Sequence, residues 1–389
     1  MRLGFHQFVI NPTFPVNRML SNNKHMAVAD DLYCRILVLA INEKPLYHLS
    51  IDTVEVHLSY RDKIKAVIEE VLDQKVDLIT SATHSHYCPC LKTDEAYKAF
   101  FLDELRKNIN KIKFVEDEQI RYSYRYEFFD KTGKSRISDQ DSKNIFAETL
   151  SFYLQDKRVA TVLIYNSHPT TQKMQQGDFT AEYPGYVIRR LKELYPDEFF
   201  TFMLGPAGDI SSRFTRRKQD YEEMEYLGEL LVQEYQRQLN LPSARLVIDK
   251  YSYKEIIVPI KRVKVDLDVE IPDYIVNRER ETIERALDDY KTGKRKLDIS
   301  SQPSEHLFCH LVLADEYSMI FEPFETFSSY YDHVDKEHCS LITISNGFDH
   351  YLLGLNKQRI TFEMFADNVS KKTKEHIIQI LHDLSHKTS

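Results

Sequence analysis

Two histidines separated by one residue occur in the segment Thr83-His84-Ser85-His86, directly after an apolar, strand-like run. Neutral imidazole is a preferred zinc ligand, and a catalytic zinc usually keeps three protein ligands and one water. Histidines at this spacing can both face one pocket, one as a ligand and the other as a general acid or oxyanion partner. Structural and surface histidines also show this pattern, so it predicts a site only together with further ligands.

Two cysteines, Cys88 and Cys90, follow in the same segment, HSHYCPC. Two thiolates would favour a closed, structural zinc site. However, one short segment rarely surrounds a tetrahedral ion, and Pro89 stiffens the pair. We therefore expect both cysteines to line or support the pocket without binding metal. The five cysteines are odd in number and widely spaced, which is typical of a reducing compartment.

Polar, potentially reactive residues also end five other strand-like runs. They are Asp52 after HLSI, His168 after LIYNS, Asp209 and Ser211 after FMLGPAG, Glu325 after MIFEPF, and Asp349, His350 and Tyr351 after LITISNGF. Each has an ordinary structural explanation, such as a turn or a helix N-cap. Because ligands gather beyond the carboxyl ends of strands in α/β sheets, the six runs together predict one shared site.

The elements that must position these residues alternate between apolar β-branched runs and helical patterns. Strands are predicted at 35–40, 46–51, 76–81, 159–165, 199–204, 318–321 and 341–344, and helices at 61–72, 102–112, 184–194 and 221–239. This alternation predicts an α/β fold with mixed β-sheets flanked by helices, and an active site at the carboxyl ends of the strands.

One region departs from this alternation. Residues 247–271 alternate between apolar and polar types, as in one or two half-exposed strands, and a charged helix at about 272–291 follows. The stretch KTGKRKLDISSQPS is the only linker-like segment. We therefore predict a single catalytic domain over residues 1–389, with 247–304 as a possible inserted segment.

Composition excludes several classes of function. The net charge is −8, from 60 acidic and 52 basic residues, which argues against nucleic acid as a partner. None of the ten glycines forms a G-x-G-x-x-G or G-x-x-x-x-G-K motif, and neither G-x-S-x-G nor H-E-x-x-H occurs. No segment approaches the roughly 18–20 apolar residues of a transmembrane helix, and the N-terminus lacks a signal-peptide pattern. We expect a cytoplasmic protein.

The ordered segments resemble the catalytic domain of the neutral/alkaline (non-lysosomal) ceramidase family. SATHSHYCPC is similar to that family's Thr-His-Thr-His-Ser-Gly-Pro-Gly segment, and NSHPTT with GDFTAEYPGY to its His-Pro-Thr segment and the downstream Tyr-Pro-Gly. GPAGDISS, PFETF and SNGFDHYLLG resemble its Gly-Asp-Val-Ser, Pro-Gly-Glu-Phe-Thr and Asn-x-Tyr-x-x-Tyr segments, and LYCRILVLAI and LSIDTVEV its early strands. These segments follow the family's order from about Leu32 to Tyr351.

This resemblance implies a ligand set and roles for individual residues. One zinc ion per chain would be bound by His84, His168, Glu325 and Tyr351. His86 would contact the substrate carbonyl or oxyanion. Ser211, with Asp209 beside it, would face the amide or head group of the substrate, Asp52 would orient a ligating imidazole, and Arg136 would provide a further anion contact.

The implied activity is hydrolysis of an amide bond by zinc-activated water, as in ceramide cleavage. Several positions depart from the family pattern: Phe324 replaces a glycine, Tyr87-Cys88-Pro89-Cys90 replaces Ser-Gly-Pro-Gly, and Phe362 stands nearest to an expected second tyrosine. A polar or shorter N-acyl compound is therefore as compatible with the sequence as ceramide. A zinc esterase on the same scaffold and a non-catalytic small-molecule-binding protein are the alternatives.

Overall fold

The computed structural model describes residues 1–18, 24–137, 141–173, 177–273, 275, 277–294, 302–355 and 360–386. Its strands are β1 (Arg2–Val9), β2 (Val16–Asn17), β3 (Lys24–His25), β4 (Tyr33–Ala40), β5 (Leu46–Ile51), β6 (Asp77–Ala82), β7 (Lys113–Glu116), β8 (Ile120–Phe128), β9 (Lys134–Ser135), β10 (Phe146–Leu154), β11 (Lys157–Tyr165), β12 (Phe199–Leu204), β13 (Ile210–Ser211), β14 (Leu246–Ile248), β15 (Tyr251–Ile260), β16 (Ser304–Leu313), β17 (Tyr317–Phe321), β18 (Glu325–Thr326), β19 (Cys339–Ile342) and β20 (Tyr351–Leu352). The α-helices are α1 (Leu58–Leu72), α2 (Glu95–Asn108), α3 (Glu182–Leu194), α4 (Tyr221–Asn240), α5 (Asn277–Lys291) and α6 (Lys371–Ser385).

Three larger sheets carry most of these strands. Their orders are β6-β5-β4-β1-β7, β12-β11-β10-β8-β14 and β15-β16-β17-β19. Most neighbours are antiparallel, but each sheet contains one parallel pair: β5 with β6, β11 with β12, and β17 with β19. The prediction of an α/β fold with mixed sheets is confirmed.

The three parallel pairs consist of the six strands whose polar ends the sequence singles out. In a parallel pair both carboxyl ends lie at the same edge of the sheet. Hydrogen bonds also join the segment after β19 to the ends of the other two pairs. The Thr343 N–H donates to the Leu204 carbonyl, at the end of β12, at 2.9 Å, and the Ala82 N–H, at the end of β6, donates to the Ile344 carbonyl at 3.2 Å. The six strand ends therefore meet in one region of the molecule.

Burial explains why these strands form where they do. Every residue of β5 and β12 is buried, which is typical of strands covered on both faces, and both match their predicted bounds. A shared apolar core includes Leu37 from the first sheet, Leu150 from the second and Met319 from the third. Packing against this core holds the three sheets together, and with them the strands that end at the site.

Two helices begin five or more residues from their predicted starts. Helix α2 begins at Glu95 rather than at residue 102, because the Asp94 carboxylate accepts a hydrogen bond from the Tyr97 N–H at 3.1 Å and caps the helix there. Helix α5 begins at Asn277, five residues after the predicted start at 272. Half of the predicted linker, residues 295–301, lies outside the described residues.

The possible inserted segment shares a small apolar cluster with a later part of the chain. Ile283 and Leu287 of α5 pack with Phe365, which lies in the short 3-10 helix Phe362–Phe365. In β15, exposed and buried residues are interspersed, as predicted for a half-exposed strand. Among the described residues, no helix is both long and apolar enough to cross a membrane.

A buried ion pair links β4 to the end of β5. One guanidinium nitrogen of Arg35, Nη1, donates to both carboxylate oxygens of Asp52 at 2.9 Å. The two side chains are 2% and 0% exposed. An ion pair this deeply buried contributes little net stability as a whole, but removing one partner leaves an uncompensated charge in the core.

We predict that Asp52→Asn lowers the free energy of unfolding by about 3–5 kcal/mol, because Arg35 loses its counter-charge. Chemical denaturation followed by circular dichroism measures the loss. The matched control is Asp156→Asn, which removes an exposed pair with Arg245 (2.9 Å, Asp156 side chain 92% exposed) and should cost less than about 1 kcal/mol. Equal losses in the two variants would contradict the prediction.

Candidate metal centre

Two histidines, His84 and His168, are each oriented by a backbone carbonyl. His84 follows β6, and its Nδ1 lies 2.8 Å from the Val54 carbonyl oxygen. His168 follows β11, and its Nδ1 lies 2.6 Å from the Ala207 carbonyl oxygen. Because a carbonyl oxygen can only accept, each Nδ1 must carry the hydrogen. In the neutral imidazole, each Nε2 then presents a lone pair.

These lone pairs converge on a carboxylate. The Nε2 of His168 lies 3.1 Å from Glu325 Oε2, and that of His84 lies 3.7 Å from the same oxygen. The Nε2 atoms of His84 and His86 are 3.3 Å apart. Ligand atoms around a tetrahedral zinc with bonds of 2.0–2.1 Å are separated by about 3.3–3.4 Å. The spacing and the donor types therefore fit a zinc ion.

The backbone of His84 is also unusual. Its φ is +62°, in the left-handed region that non-glycine residues rarely adopt. The Thr83 and His84 N–H groups donate to the Ile51 and Thr53 carbonyls at 3.0 and 2.9 Å. These bonds hold the strained conformation, which is the kind of feature that concentrates at functional sites.

Glu325 and Tyr351 are paired across a short parallel ladder. They are register partners in β18 and β20, and the Tyr351 ring centroid lies 6.5 Å from that of His168. Burial raises the pKa of the Tyr351 phenol well above 10, and the Glu325 carboxylate raises it further. Tyr351 could therefore act as an anionic ligand only with a cation beside it.

The electrostatics keep Glu325 ionised. Burial opposes its ionisation, but when the imidazoles are protonated, the charge of His84 and hydrogen bonds from His168 and His84 outweigh burial and hold the pKa of Glu325 well below its ordinary value. A metal cation in place of these protons acts in the same direction. The group can therefore supply a carboxylate to a cation at neutral pH.

His86 differs from the other two histidines in being partly exposed. The nitrogens of His84, His86 and His168 lie within 4.8 Å of one another, and in the described residues this is the group of side chains that could hold a metal ion. Burial first, and then the neighbouring His84 and His168, lower the pKa of His86 well below 6.5. A neutral imidazole at the accessible side of the cluster can be either a third nitrogen ligand or a proton acceptor.

Asp209 and Ser211 lie next to this cluster in different ways. Ser211 forms a parallel bridge with His168 and so lies beside it. The buried carboxylate of Asp209 accepts hydrogen bonds from the Ser328 N–H at 2.6 Å and the Ser135 hydroxyl at 2.8 Å. Asp209 thus fixes two loops around the site.

The expected contact between Asp52 and a ligating imidazole is not among the hydrogen bonds of the described residues, and this expectation is corrected. The Asp52 carboxylate is occupied by Arg35 and by the Tyr33 N–H at 2.8 Å. Backbone carbonyls orient both imidazoles instead. Arg35 is the register partner of Ser50, two residues before Asp52, and its side chain reaches the Asp52 carboxylate from there.

Arg136 lies at the site, and its guanidinium N–H groups contact other groups of the protein. Its Nη1 lies 2.8 Å from Glu363 Oε1, and its Nη2 donates to the Gly208 carbonyl. Its positive charge lowers the pKa of His86 and of His168, after burial and the neighbouring histidines. These contacts favour an anchoring position for the guanidinium over a direct anion contact.

The turn before Asp209 depends on one glycine. A Cβ atom at Gly208 would lie 2.4 Å from the Glu325 carbonyl oxygen, so no larger residue fits there. The Gly208 N–H donates to the Thr326 carbonyl at 2.8 Å. This N–H is therefore used to attach the turn to β18 rather than being open to a substrate oxyanion.

Both cysteines of the HSHYCPC segment are buried and lie outside the metal-binding group described above. The Cys88 thiol donates to the Thr180 carbonyl, with the atoms 3.4 Å apart, and Cys90 accepts a hydrogen bond from the Thr93 hydroxyl. Burial raises the pKa of the Cys88 thiol well above 9. Cys88 therefore remains a neutral thiol that packs beneath the segment carrying the histidines.

Sequence reasoning missed an ion pair beside His84. Glu55 follows Val54, which orients His84, and the Lys92 ammonium lies 3.3 Å from Glu55 Oε1. Burial raises the pKa of Glu55, and Lys92 opposes that rise. The only sequence signal was the position of Glu55 three residues after a polar strand end, because the pairing with Lys92 exists only in the folded chain.

A second glutamate supports the segment that carries Glu325. Glu322 is buried, and its carboxylate accepts hydrogen bonds from the Phe324 N–H at 2.9 Å and the Thr326 hydroxyl at 2.7 Å. Burial raises its pKa to about 8. This value exceeds that of an unfolded glutamate, about 4.3, so the folded protein retains this proton between the two values.

Glu322 should therefore make the protein less stable as pH rises from about 4 toward 8. We predict that Glu322→Gln, which mimics the protonated side chain, reduces the loss of unfolding free energy between pH 5 and pH 8 by about 2–4 kcal/mol. Urea denaturation at both pH values measures it, with the exposed Glu305→Gln as control. An unchanged pH dependence in Glu322→Gln would contradict the assignment.

No protein-family model matches the sequence, and no curated protein is similar enough in sequence to match. Solved structures do match. One is described as a neutral ceramidase from Pseudomonas aeruginosa, with a TM-score of 0.73, 13% identity, and coverage of 99% of this chain and 74% of that chain. Another, described as a ceramidase complexed with C2, gives 0.75 and 12% over the same shares. The fold that the sequence resemblance implies is confirmed: the chain adopts the fold of the neutral ceramidase structures.

Proposed function

We propose that the protein is a zinc-dependent hydrolase that cleaves the amide bond of an N-acyl substrate. The observation that carries this proposal is the convergence of two oriented imidazole lone pairs and an ionised carboxylate within 3.1–3.7 Å, at the edge where three parallel strand pairs end. The similarity in fold to structures described as ceramidases supports amide hydrolysis.

His84, His168, Glu325 and Tyr351 would hold the zinc. When bound, zinc supplies Lewis-acid chemistry: it polarises a carbonyl and lowers the pKa of water. The backbone carbonyls of Val54 and Ala207 would keep both ligating imidazoles in one tautomer, which strengthens Nε2 as a ligand. The pairing of Tyr351 with Glu325 would keep the two oxygen ligands adjacent.

His86 would move the proton during the reaction. Amide cleavage must protonate the leaving amine, and a positioned general acid–base group typically contributes 10²–10⁴-fold. His86 is neutral at pH 7, partly exposed and 3.3 Å from His84, so it can accept a proton and return it to the amine. Ser211, beside His168, would contact the amide or head group.

We predict that His86→Ala lowers the turnover of an N-acyl amide by about 10²–10⁴-fold while zinc is retained, because it removes a proton-transfer group rather than a metal ligand. The measurement is release of free amine from N-acyl amides by the zinc-loaded protein, with zinc content determined in parallel. His310→Gln, at another buried histidine on β16, is the matched control and should keep activity.

Three outcomes would count against the proposal. Loss of zinc in His86→Ala would make His86 a ligand and require another proton donor. Thermal stabilisation by N-acyl compounds without turnover in the zinc-loaded wild type would favour a binding protein. Faster cleavage of esters alone, with amides untouched, would identify an esterase.

A further inference from the structure

We propose that Lys92, held in place by the buried carboxylate of Glu55, is a specificity-determining residue that selects N-acyl substrates carrying a carboxylate close to the amide. This inference rests on the proposed function and specifies its substrate class. Neither residue belongs to the proposed ligand set or to the groups proposed to move protons.

The two charges of this ion pair differ in accessibility. The Glu55 side chain is 2% exposed, whereas that of Lys92 is 45% exposed, with 3.3 Å between Nζ and Oε1. The negative charge is therefore buried below the positive one. A molecule approaching from solvent meets the ammonium first, so the positive end of the pair faces solvent.

Glu55 has few other partners. Among the described residues, neither of its carboxylate oxygens has a hydrogen-bond donor with good geometry, and Lys92 is its ionic contact. A buried carboxylate is costly unless a counter-charge lies beside it. Lys92 is thus drawn to one position, instead of moving freely as an exposed lysine does.

An aromatic ring connects this ammonium to the metal-binding cluster. Lys92 Nζ lies 5.5 Å from the centroid of the Phe348 ring, within the range of a cation–π contact. The Phe348 ring in turn stacks on His84, with centroids 6.5 Å apart and planes at 29°. The ammonium therefore lies at most about 12 Å from the His84 ring, within the length of a small substrate.

Asp349, which follows Phe348, has its own basic partners. Asp349 pairs with Arg262 and lies 3.2 Å from His306 Nε2. His350 and His57 also lie close enough for the charge of Lys92 to lower their pKa values, after burial. Because Arg262 balances Asp349, that carboxylate does not offset the Lys92 ammonium.

The chemistry of an ammonium suits this task. It carries three N–H donors, of which one faces Glu55, so the others can bind a carboxylate. Hydrogen bonds to charged groups are roughly twice as strong as those between neutral groups. A neutral alcohol at the same place would gain much less, so an N-acyl amino acid should be preferred over an N-acyl amino alcohol.

The test compares N-lauroylglycine with N-lauroylethanolamine, which share the acyl chain and differ in carboxylate against hydroxymethyl. We expect zinc-loaded wild type to prefer the glycine amide at least 10-fold in kcat/KM. Lys92→Met should reduce that preference to less than 3-fold, mainly through KM, and leave the ethanolamide nearly unchanged. The wild-type preference should also weaken at high salt.

Lys92→Met leaves Glu55 without its counter-charge, so the double variant Glu55→Gln/Lys92→Met serves as the folded, neutral control and should show the same loss of preference. Calorimetric binding of both amides gives a readout without turnover. If neither amide is hydrolysed but the glycine amide still binds tightly through Lys92, the proposed function fails and the recognition stands. A preference that survives in both variants overturns this inference and leaves the proposed function intact.

Discussion

Two imidazoles, His84 and His168, use Nδ1 to donate to backbone carbonyls, and this constraint organises the site. Their Nε2 lone pairs are then both directed toward the same oxygen of Glu325. Such an arrangement of acceptors is unfavourable unless a cation lies among them. A proton on one imidazole would satisfy only one of these contacts, whereas a metal ion satisfies all of them at spacings that match tetrahedral zinc.

The fold produces this arrangement with the same feature, a parallel strand pair, in three sheets. Each sheet contributes one parallel pair, and the carboxyl ends of the three pairs are joined by backbone hydrogen bonds. The carbonyls that orient the imidazoles belong to the segments after β5 and β12, so a ligand from one strand is oriented by the end of its neighbour. Gly208 attaches one of these segments to β18 at a distance that admits no side chain. Glu322 binds the residues on both sides of Glu325, through the Phe324 N–H and the Thr326 hydroxyl.

Local sequence patterns predicted the six strands that end at the site, because buried parallel strands read as continuous apolar runs that end abruptly in polar residues. They did not predict β10, in which Glu148 interrupts the apolar pattern; the hydroxyls of Tyr331 and Tyr124 satisfy that buried carboxylate. Likewise, the role expected of Asp52 was wrong because its partner, Arg35, lies across a strand pairing. The pairing of Glu55 with Lys92 also depends on tertiary structure, which no local pattern encodes.

The most direct test of this account is the zinc content of the purified protein after loading with zinc and dialysis, for wild type and for His84→Ala, His168→Ala and Glu325→Ala. The account predicts about one zinc per chain in wild type, in keeping with a single catalytic site, and a large loss in each variant, with all four proteins folded by circular dichroism. Wild type that retains no zinc, or variants that retain as much as wild type, would contradict it.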